Sequence, residues 1–182
     1  ATKGAAQGLL SKVLLYQKKW AESLAAANDV ISSNEYSLEP DYALLWRQST
    51  ENGVESLFEV EGQNGNEGWG VGGYFVTQGA RGVVTGGYGG WGFNTPSTDL
   101  LSAYEPGDVR KAGTIYSVGQ ILWDGAVVES ASNSNYNYKA YVSQTQEVNY
   151  DDWSSGKNIR ILRYAEILLI KAEATNELGN TG

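Results

Sequence analysis

The sequence predicts a mainly α fold interrupted by irregular and short β segments, and three observations carry that prediction. Residues 2–31 and 158–179 repeat apolar side chains at three- and four-residue steps, the period of a buried helix face. Between them, Glu55 to Glu61 alternates apolar and acidic residues at the two-residue period of a strand. Gly62 to Gly92 then holds thirteen glycines interleaved with aromatics and shows neither period, which marks a long loop region. A chain of 182 residues can bury one core of ordinary size, so a single domain is expected.

The N-terminal helix is predicted from Thr2, its cap, to Gln17, with Ala5, Leu9, Val13 and Tyr16 and the neighbouring Ala6, Leu10 and Leu14 on its buried face. A short break at Lys18 and Lys19 leads to a second helix over Trp20–Ile31, whose face runs through Leu24, Ala27 and Ile31. Helices joined so tightly must pack antiparallel. Their spacing resembles a tetratricopeptide-type hairpin, with Ala25 and Ala26 small enough for close approach, and an unrelated pair of helices fits the pattern equally well. Residues 32–40 form a turn and an extended segment, and Tyr42 to Trp46 a single helical turn.

In the strand at residues 55–61, Glu59 and Glu61 point away from Phe58 and Val60, toward solvent. Pro96 and Ser97 open a helix that buries Leu100, Leu101 and Tyr104 and ends at Pro106-Gly107. Asp108 and Arg110 are placed for a local, solvated ion pair. Short strands are expected at Thr114–Val118, Gln120–Trp123 and Tyr138–Val142, with Ser130–Asn137 a polar surface loop. The last and most regular pattern, Asn158 to Gly179, reads as one core helix roughly 30 Å long at about 1.5 Å per residue. Its face is Ile161, Leu162, Ala165, Leu168, Leu169 and Ala172, with Asn158 as cap and Gly179 as stop. Six charges within it argue against a membrane span.

Composition removes whole classes of chemistry. There is no cysteine and no histidine, so disulfides, thiolate and Ser-His-Asp catalysis and the usual transition-metal ligands are all excluded. A net charge of −8 makes nucleic acid a poor partner. Six Trp and twelve Tyr stand against three Phe, a skew toward rings with a polar edge that suits hydroxylated ligands; tyrosine-rich edge strands account for part of it. The absence of methionine, and an opening residue that falls at the start of an amphipathic pattern, lead to the expectation that the chain is part of a larger protein.

Together, ATKGAAQGLLSKVLLY, W-x-x-S-x-x-x-A-x-x-V-I, Tyr36-Ser-Leu, ENGVESLFEVE, TPSTDLLSAYEPGDVR and NIRILRYAEILLIKAEATNELGN resemble the ordered landmarks of the SusD/RagB-like outer-membrane nutrient-binding lipoproteins. The lipidated N-terminal region and the C-terminal part of that family are not among these residues, so the resemblance is to an internal or C-terminal fragment. It implies a SusD-like α-α superhelix with a tetratricopeptide-like hairpin at 1–33, a loop-rich region with short strands and one helix at 55–157, and the first helix of a further repeat at 158–179. It also implies lipid anchorage on the outer face of an outer membrane, and capture of oligosaccharide or polysaccharide for a SusC-like TonB-dependent transporter. The competing expectation is a tetratricopeptide-like scaffold that binds protein and has no glycan site of its own.

A pyranose offers flat C–H patches flanked by hydroxyls, so its site needs an exposed aromatic face beside donors and acceptors. In the glycine-rich stretch Trp69, Tyr74, Tyr88 and Trp91 are candidate faces and Asn66, Gln78 and Arg81 the candidate polar edge. For each aromatic singly, pinning the loop competes with touching sugar. Two G-x-G-x-x-G matches, Gly68–Gly73 and Gly87–Gly92, open no expected helix and follow from glycine density alone. Glu59 and Glu61 share a strand face as a hydrolase pair would, but a solvent-facing carboxylate has no reason to stay protonated. Asn149, Asp151 and Asp152 fall short of a calcium loop. No cofactor, metal or catalytic activity is expected.

Overall fold

The protein is described from a computed structural model covering residues 2–63, 71–147 and 155–179. The elements are α1 (Lys3–Tyr16), α2 (Trp20–Ser32), β1 (Ser56–Val60), α3 (Gly72–Gln78), β2 (Gly82–Thr85) and α4 (Thr98–Ala103). They continue with β3 (Ile115–Ser117), β4 (Val127–Ala131), β5 (Asn135–Asn137), β6 (Ile159–Arg163) and α5 (Tyr164–Glu177), and 3-10 turns occupy Leu44–Trp46, Gln48–Thr50 and Tyr138–Ala140. The expected class, helical with short strands, is the observed one. The chain divides into a helical unit (Ala1–Pro40, Asn52–Val60, Arg160–Gly182) and a loop-rich unit (Asp41–Glu51, Glu61–Ile159).

In the helical unit Thr2 caps α1 as expected, its hydroxyl oxygen accepting the Ala5 N–H at 3.1 Å. Lys18 takes φ 58 in the reversal between the helices. Gln7 Nε2 donates to Asp29 at 3.1 Å and Ser23 Oγ to the Ser11 carbonyl at 2.8 Å, so α1 and α2 run antiparallel. The buried line of α1 is not the leucine row. It is Gly4, Ala5, Gly8 and Ser11, facing Ser23, Ala26, Ala27 and Val30 of α2, while Leu9, Leu10, Val13 and Tyr16 are exposed and Ala25 faces outward. Small residues win this face because the neighbours come too close for larger ones: a Cβ on Gly8 would sit 2.8 Å from Leu57 Cδ2 and 2.9 Å from Leu162 Cδ2.

The predicted 158–179 helix is divided in two. Residues 159–163 form β6, paired with β1, and only 164–177 are helical. Two carboxylates hold the strand: Glu55, just before β1, pairs with Arg163, and Glu59 Oε1 lies 3.5 Å from Arg160 Nε. The Tyr164 N–H donates to the Glu55 carbonyl at 2.8 Å, closing the junction. The shift in phase moves the buried face of α5 to Ile167, Ile170 and Ala174, leaving Leu169 69% exposed, Ala172 exposed and Ile161 on the outer side of the strand. With Ala27, Val30, Leu57 and Leu162 these isoleucines form the unit's core, each large side chain contributing about 1.5–3 kcal/mol of burial. Gly179, at φ 76, ends the helix as predicted.

Glu59 is therefore buried, not solvent-facing, and β1 turns Leu57 and Glu59 inward while Val60 faces out. The expectation of solvated acids holds for Glu61, which is exposed, and fails for Glu59 because Arg160 stands opposite.

The loop-rich unit has a core of tyrosines. Tyr116, Tyr136 and Tyr141 are almost fully buried beside Leu45, Trp46, Leu122 and Val128, with Tyr116 stacked on Tyr136 at 5.8 Å and edge-on to Tyr141. Buried phenols need partners: Tyr141 donates to Asp124 Oδ2 at 2.6 Å, and Tyr136 accepts the Asn133 N–H at 3.0 Å. The predicted surface loop at 130–137 accordingly proves to be the end of β4 and all of β5, paired antiparallel with β2 and β3. Residues 138–140 make a 3-10 turn where a strand was expected, and the 120–123 segment contributes one bridge, Ile121 to Val127, rather than a strand. Ser97 caps α4 through the Leu100 N–H, but the helix buries none of its residues and Leu100 is exposed. Asp108 and Arg110 form the expected exposed ion pair, which holds the Asp108 carboxyl below its ordinary range.

Burial pushes the Tyr116, Tyr141 and Tyr138 phenols above their ordinary range near about 10. Above that pH the unfolded chain releases protons that the folded chain keeps, so stability is intact below about pH 10 and falls as pH rises beyond it. Chemical denaturation followed from about pH 8 to about pH 11.5 should show that fall. Tyr141→Phe should make it shallower while costing about 1–2 kcal/mol at neutral pH through the lost bond to Asp124. A Gly8→Val variant should lose about 1–3 kcal/mol by overpacking between β1, β6 and α5; equal or greater stability in thermal melts would refute the close-packing account.

Candidate functional site

Within the glycine-rich stretch the structure contains α3 and β2, where the sequence showed no period. Helix α3 has only seven residues, yet Gly72, Phe75 and Val76 recur at helical spacing and are buried, with Gln78 beneath them. Its outer side carries Tyr74, 45% exposed. Residues 90–93 lie alongside its C-terminal end and supply N–H groups to carbonyls there. Trp91 N donates to Val76 O at 2.9 Å, Phe93 N to Thr77 O at 2.9 Å, Gly92 N to Gly79 O at 2.9 Å and Gly90 N to Ala80 O at 2.7 Å. These are groups that a helix end leaves without an intrahelical partner.

That contact requires glycine. A Cβ on Gly90 would fall 2.3 Å from the Val76 carbonyl oxygen and 2.6 Å from Gly79 Cα, both backbone atoms that have nowhere to move. The result is a backbone ledge that presents aromatic rings. The Tyr74 ring stands edge-on to Phe75 at 5.2 Å, and the Trp91 ring, half-buried, edge-on to Phe93 at 6.4 Å. Phe93 is 61% exposed and was not among the predicted residues, although it directly follows the stretch that was.

The remaining predicted residues divide. Gln78 is buried: its Nε2 donates to the Tyr74 carbonyl at 2.9 Å, and its Oε1 accepts from Asn94 and Asn137, both at 2.7 Å. It ties the ledge to the sheet and positions Tyr74 rather than offering an edge to ligand. Tyr88 packs inward against the cluster of Phe75, Ala140 and Val142 and lines a cavity of about 20 Å3, room for about one water and not for a sugar ring. The Arg81 side chain is exposed at the start of β2, and its carbonyl accepts the Ser132 N–H at 3.0 Å. Asn66 and Trp69 lie outside the described residues, as do Asn149, Asp151 and Asp152. Among the described residues no cluster of three acidic groups is placed for a metal. Gly87–Gly92 leads into irregular chain and opens no helix, whereas Gly72 and Gly73, which end the other match, begin α3, contrary to expectation.

The ledge therefore combines ring faces with nearby peptide groups and a guanidinium. It can stack on the apolar side of a hydroxylated ring and hydrogen-bond its edge. Among the described residues of the glycine-rich stretch there are no paired carboxylates, and Glu59, weighed above for hydrolysis, is committed to Arg160 and to the Asn52 N–H at 3.2 Å.

Comparison with known proteins agrees with the landmarks in the sequence. The profile of the SusD family matches residues 118–182. A SusD-like protein P2 from Formosa agariphila is 28% identical, the alignment covering 97% of this chain and 38% of the relative. The fold matches surface glycan-binding protein A from Bacteroides fluxus with a TM-score of 0.77 at 26% identity, covering 97% of this chain and 40% of that one. It also matches surface glycan-binding protein A from Bacteroides thetaiotaomicron with a TM-score of 0.82 at 20% identity, a likeness of fold, over 100% of this chain and 44% of that one. The chain thus spans about two fifths of the length of these relatives, and its resemblance to SusD/RagB-like proteins extends through both sequence and fold.

Replacing Gly90 with alanine should break the ledge from α3. Hydrogen exchange at the Trp91 and Phe93 amides should accelerate by about tenfold or more, a loss of about 1.4 kcal/mol of local protection, with the tyrosine core unchanged in near-ultraviolet circular dichroism. Unaltered protection at both amides would show that the glycine contact does not fix these rings.

Proposed function

We propose that this SusD/RagB-like chain is a glycan-binding part of an outer-membrane nutrient-uptake protein, one that captures oligosaccharide or polysaccharide and passes it to a SusC-like TonB-dependent transporter. The observation that carries the reading is the ledge: Tyr74, Trp91 and Phe93 displayed on backbone that is hydrogen-bonded to the end of α3. The likeness to surface glycan-binding protein A at 26% identity supports the same ligand class. Arg81 supplies the polar edge, Gln78 and Tyr88 hold the ledge from within, and Trp69 and Asn66 stay in the proposal on their sequence position alone. Capture needs no chemistry at the sugar, so the role is binding and hand-off on the outer face of the membrane, lipid-anchored in the complete protein.

A protein-binding scaffold is the second reading, favoured by the exposed apolar row Leu9, Leu10, Val13 and Tyr16 on α1. A glycan array separates the two: reproducible binding to one sugar class supports capture, whereas silence with a stable transporter complex supports the scaffold. With the array's ligand in hand, Trp91→Ala should weaken binding by about 2 kcal/mol, roughly 30-fold, and Trp69→Ala by a similar amount. Calorimetric affinities equal to that of the unmodified chain in both variants would remove the site assignment, and release of reducing ends from the glycan would replace capture with hydrolysis.

A further inference from the structure

The loop-rich unit has a second concavity apart from the ledge, a recess of about 370 Å3 lined by Asp41, Leu44, Arg47, Trp123, Tyr138 and Gln146, among others. That volume is at the small end of the range for ligand pockets, roughly 300–1,000 Å3, and suits one or two sugar rings better than a run of polymer. Its floor is a fixed stack. The Arg47 guanidinium, 3% exposed as a residue, lies 4.6 Å from the centroid of the Trp123 ring and 4.5 Å from that of Tyr138.

Beneath the stack, Glu147 lies 3.7 Å from Arg47 Nη1 and also accepts the Gln48 N–H at 3.1 Å and the Ser143 N–H at 2.8 Å. A buried acid with this many partners holds the guanidinium in one place, and the guanidinium holds the indole. Trp123 is also fixed from its own side. It occupies a tight turn closed by the Gly125 N–H to the Leu122 carbonyl at 3.0 Å, with Gly125 at φ 86. Yet Trp123 as a residue remains 38% exposed. A rigid, partly exposed indole at a turn tip beside a recess is an aromatic face already in its bound arrangement, so little ordering cost remains for a ligand.

The rim adds hydrogen-bonding groups of both kinds: the Ser49 hydroxyl, the Gln48 and Gln146 amides and the Asp41 carboxylate. Of the charged groups lining the recess, Arg47 and Glu147 are buried and paired, Glu147 also with Lys157 at 3.8 Å, whereas the Asp41 carboxylate is exposed on the rim. An exposed carboxylate at the rim disfavours an anionic guest such as a uronic or sulfated sugar.

We propose that this recess is a second carbohydrate site, taking a neutral monosaccharide or disaccharide unit, with Trp123 as the stacking face and Asp41, Gln48, Ser49 and Gln146 as the rim. It rests on the capture reading. Two contact areas on one unit let a glycan engage both, so each alone can be weak.

The test is calorimetry on the chain with a panel of neutral hexasaccharides (α- and β-linked glucans, mannan, xylan and galactan), with trigalacturonic acid as the charged control. For a hexasaccharide that the unmodified chain binds, Trp123→Ala should weaken binding at least about tenfold. Ser49→Tyr narrows the recess from its exposed rim and leaves Arg47, Trp123 and Tyr138 themselves unchanged, and it should do the same at an unchanged melting temperature. Binding by Ser49→Tyr equal to that of the unmodified chain, with Trp91→Ala still impaired, overturns the second site and leaves capture at the ledge standing. Tight binding of trigalacturonic acid overturns the neutral-sugar assignment. If the unmodified chain binds neither a neutral hexasaccharide nor trigalacturonic acid, the capture reading falls, and the second site with it.

Discussion

The arrangement of the glycine-rich region depends on one close approach, the backbone of residues 90–93 against the C-terminal end of α3. Peptide carbonyls at a helix terminus must find donors, and here four of them, Val76, Thr77, Gly79 and Ala80, take theirs from Gly90, Trp91, Gly92 and Phe93. Strands of backbone reach that spacing only where Cβ atoms are missing, which Gly79 and Gly90 provide. Ordering so many glycines carries an entropic cost of roughly 1–2 kcal/mol per residue. The helix-end bonds, the Gln78 bridge and the inward packing of Tyr88 offset it. The outcome, over residues 72–93, is chain that is glycine-rich without being loose, and the aromatics there inherit fixed positions from their own main chain.

The buried charges of both units serve a comparable structural end. Glu55 and Glu59 hold β6 to β1 through Arg163 and Arg160, and Glu147 holds Arg47 and, at 3.8 Å, Lys157. Such pairs add little net stability over apolar packing, but removing one partner leaves a buried charge at a cost of about 3–5 kcal/mol. Their effect is to choose one arrangement of the chain. In the helical unit that choice overrides the helical propensity of residues 159–163, and in the loop-rich unit it fixes an indole. Carboxylates committed in this way stabilise structure and are poorly placed to exchange protons with a substrate.

Local signals in the sequence were legible wherever they report on a backbone group's own neighbours. Thr2 as a cap, the break at Lys18, the helix opening at Ser97 and Gly179 as a stop are found where hydrogen-bonding and φ requirements place them, whereas Asn158, expected to cap a helix, precedes β6 and accepts the Gly62 N–H instead. Faces were harder. The leucine row of α1 lost to Gly4, Gly8 and Ser11 because contact distance, invisible in a single helix pattern, selects small residues. Residues 158–163 carried a helical period by coincidence with α5, and the deciding Glu–Arg pairs involve partners about a hundred positions away. Helix α3 was hidden by its length and its two glycines. The tyrosine core was hidden because Asn- and Ser-rich flanks made 130–137 look like surface, although buried phenols recruit just such polar neighbours. For the candidate site, the sequence did not separate displayed residues from buried ones: Gln78 and Tyr88 stand in the same stretch as Tyr74 and Trp91 but face the interior.

The proposed capture of sugar accounts for that division of roles. Each stacked ring or single hydrogen bond to a hydroxylated ligand competes with water and gains only about a kcal/mol net, so a loop that had to be ordered on binding would cancel its own contacts. Residues that hold the loop are thus as necessary as those that touch the ligand, and they must come from the same chemical set, since amides and phenols can bond a carbonyl or pack beneath a ring. Aromatic and amide enrichment in a glycine-rich stretch therefore marks a surface with its own support built in, and only burial separates the supporting residues from the displayed ones.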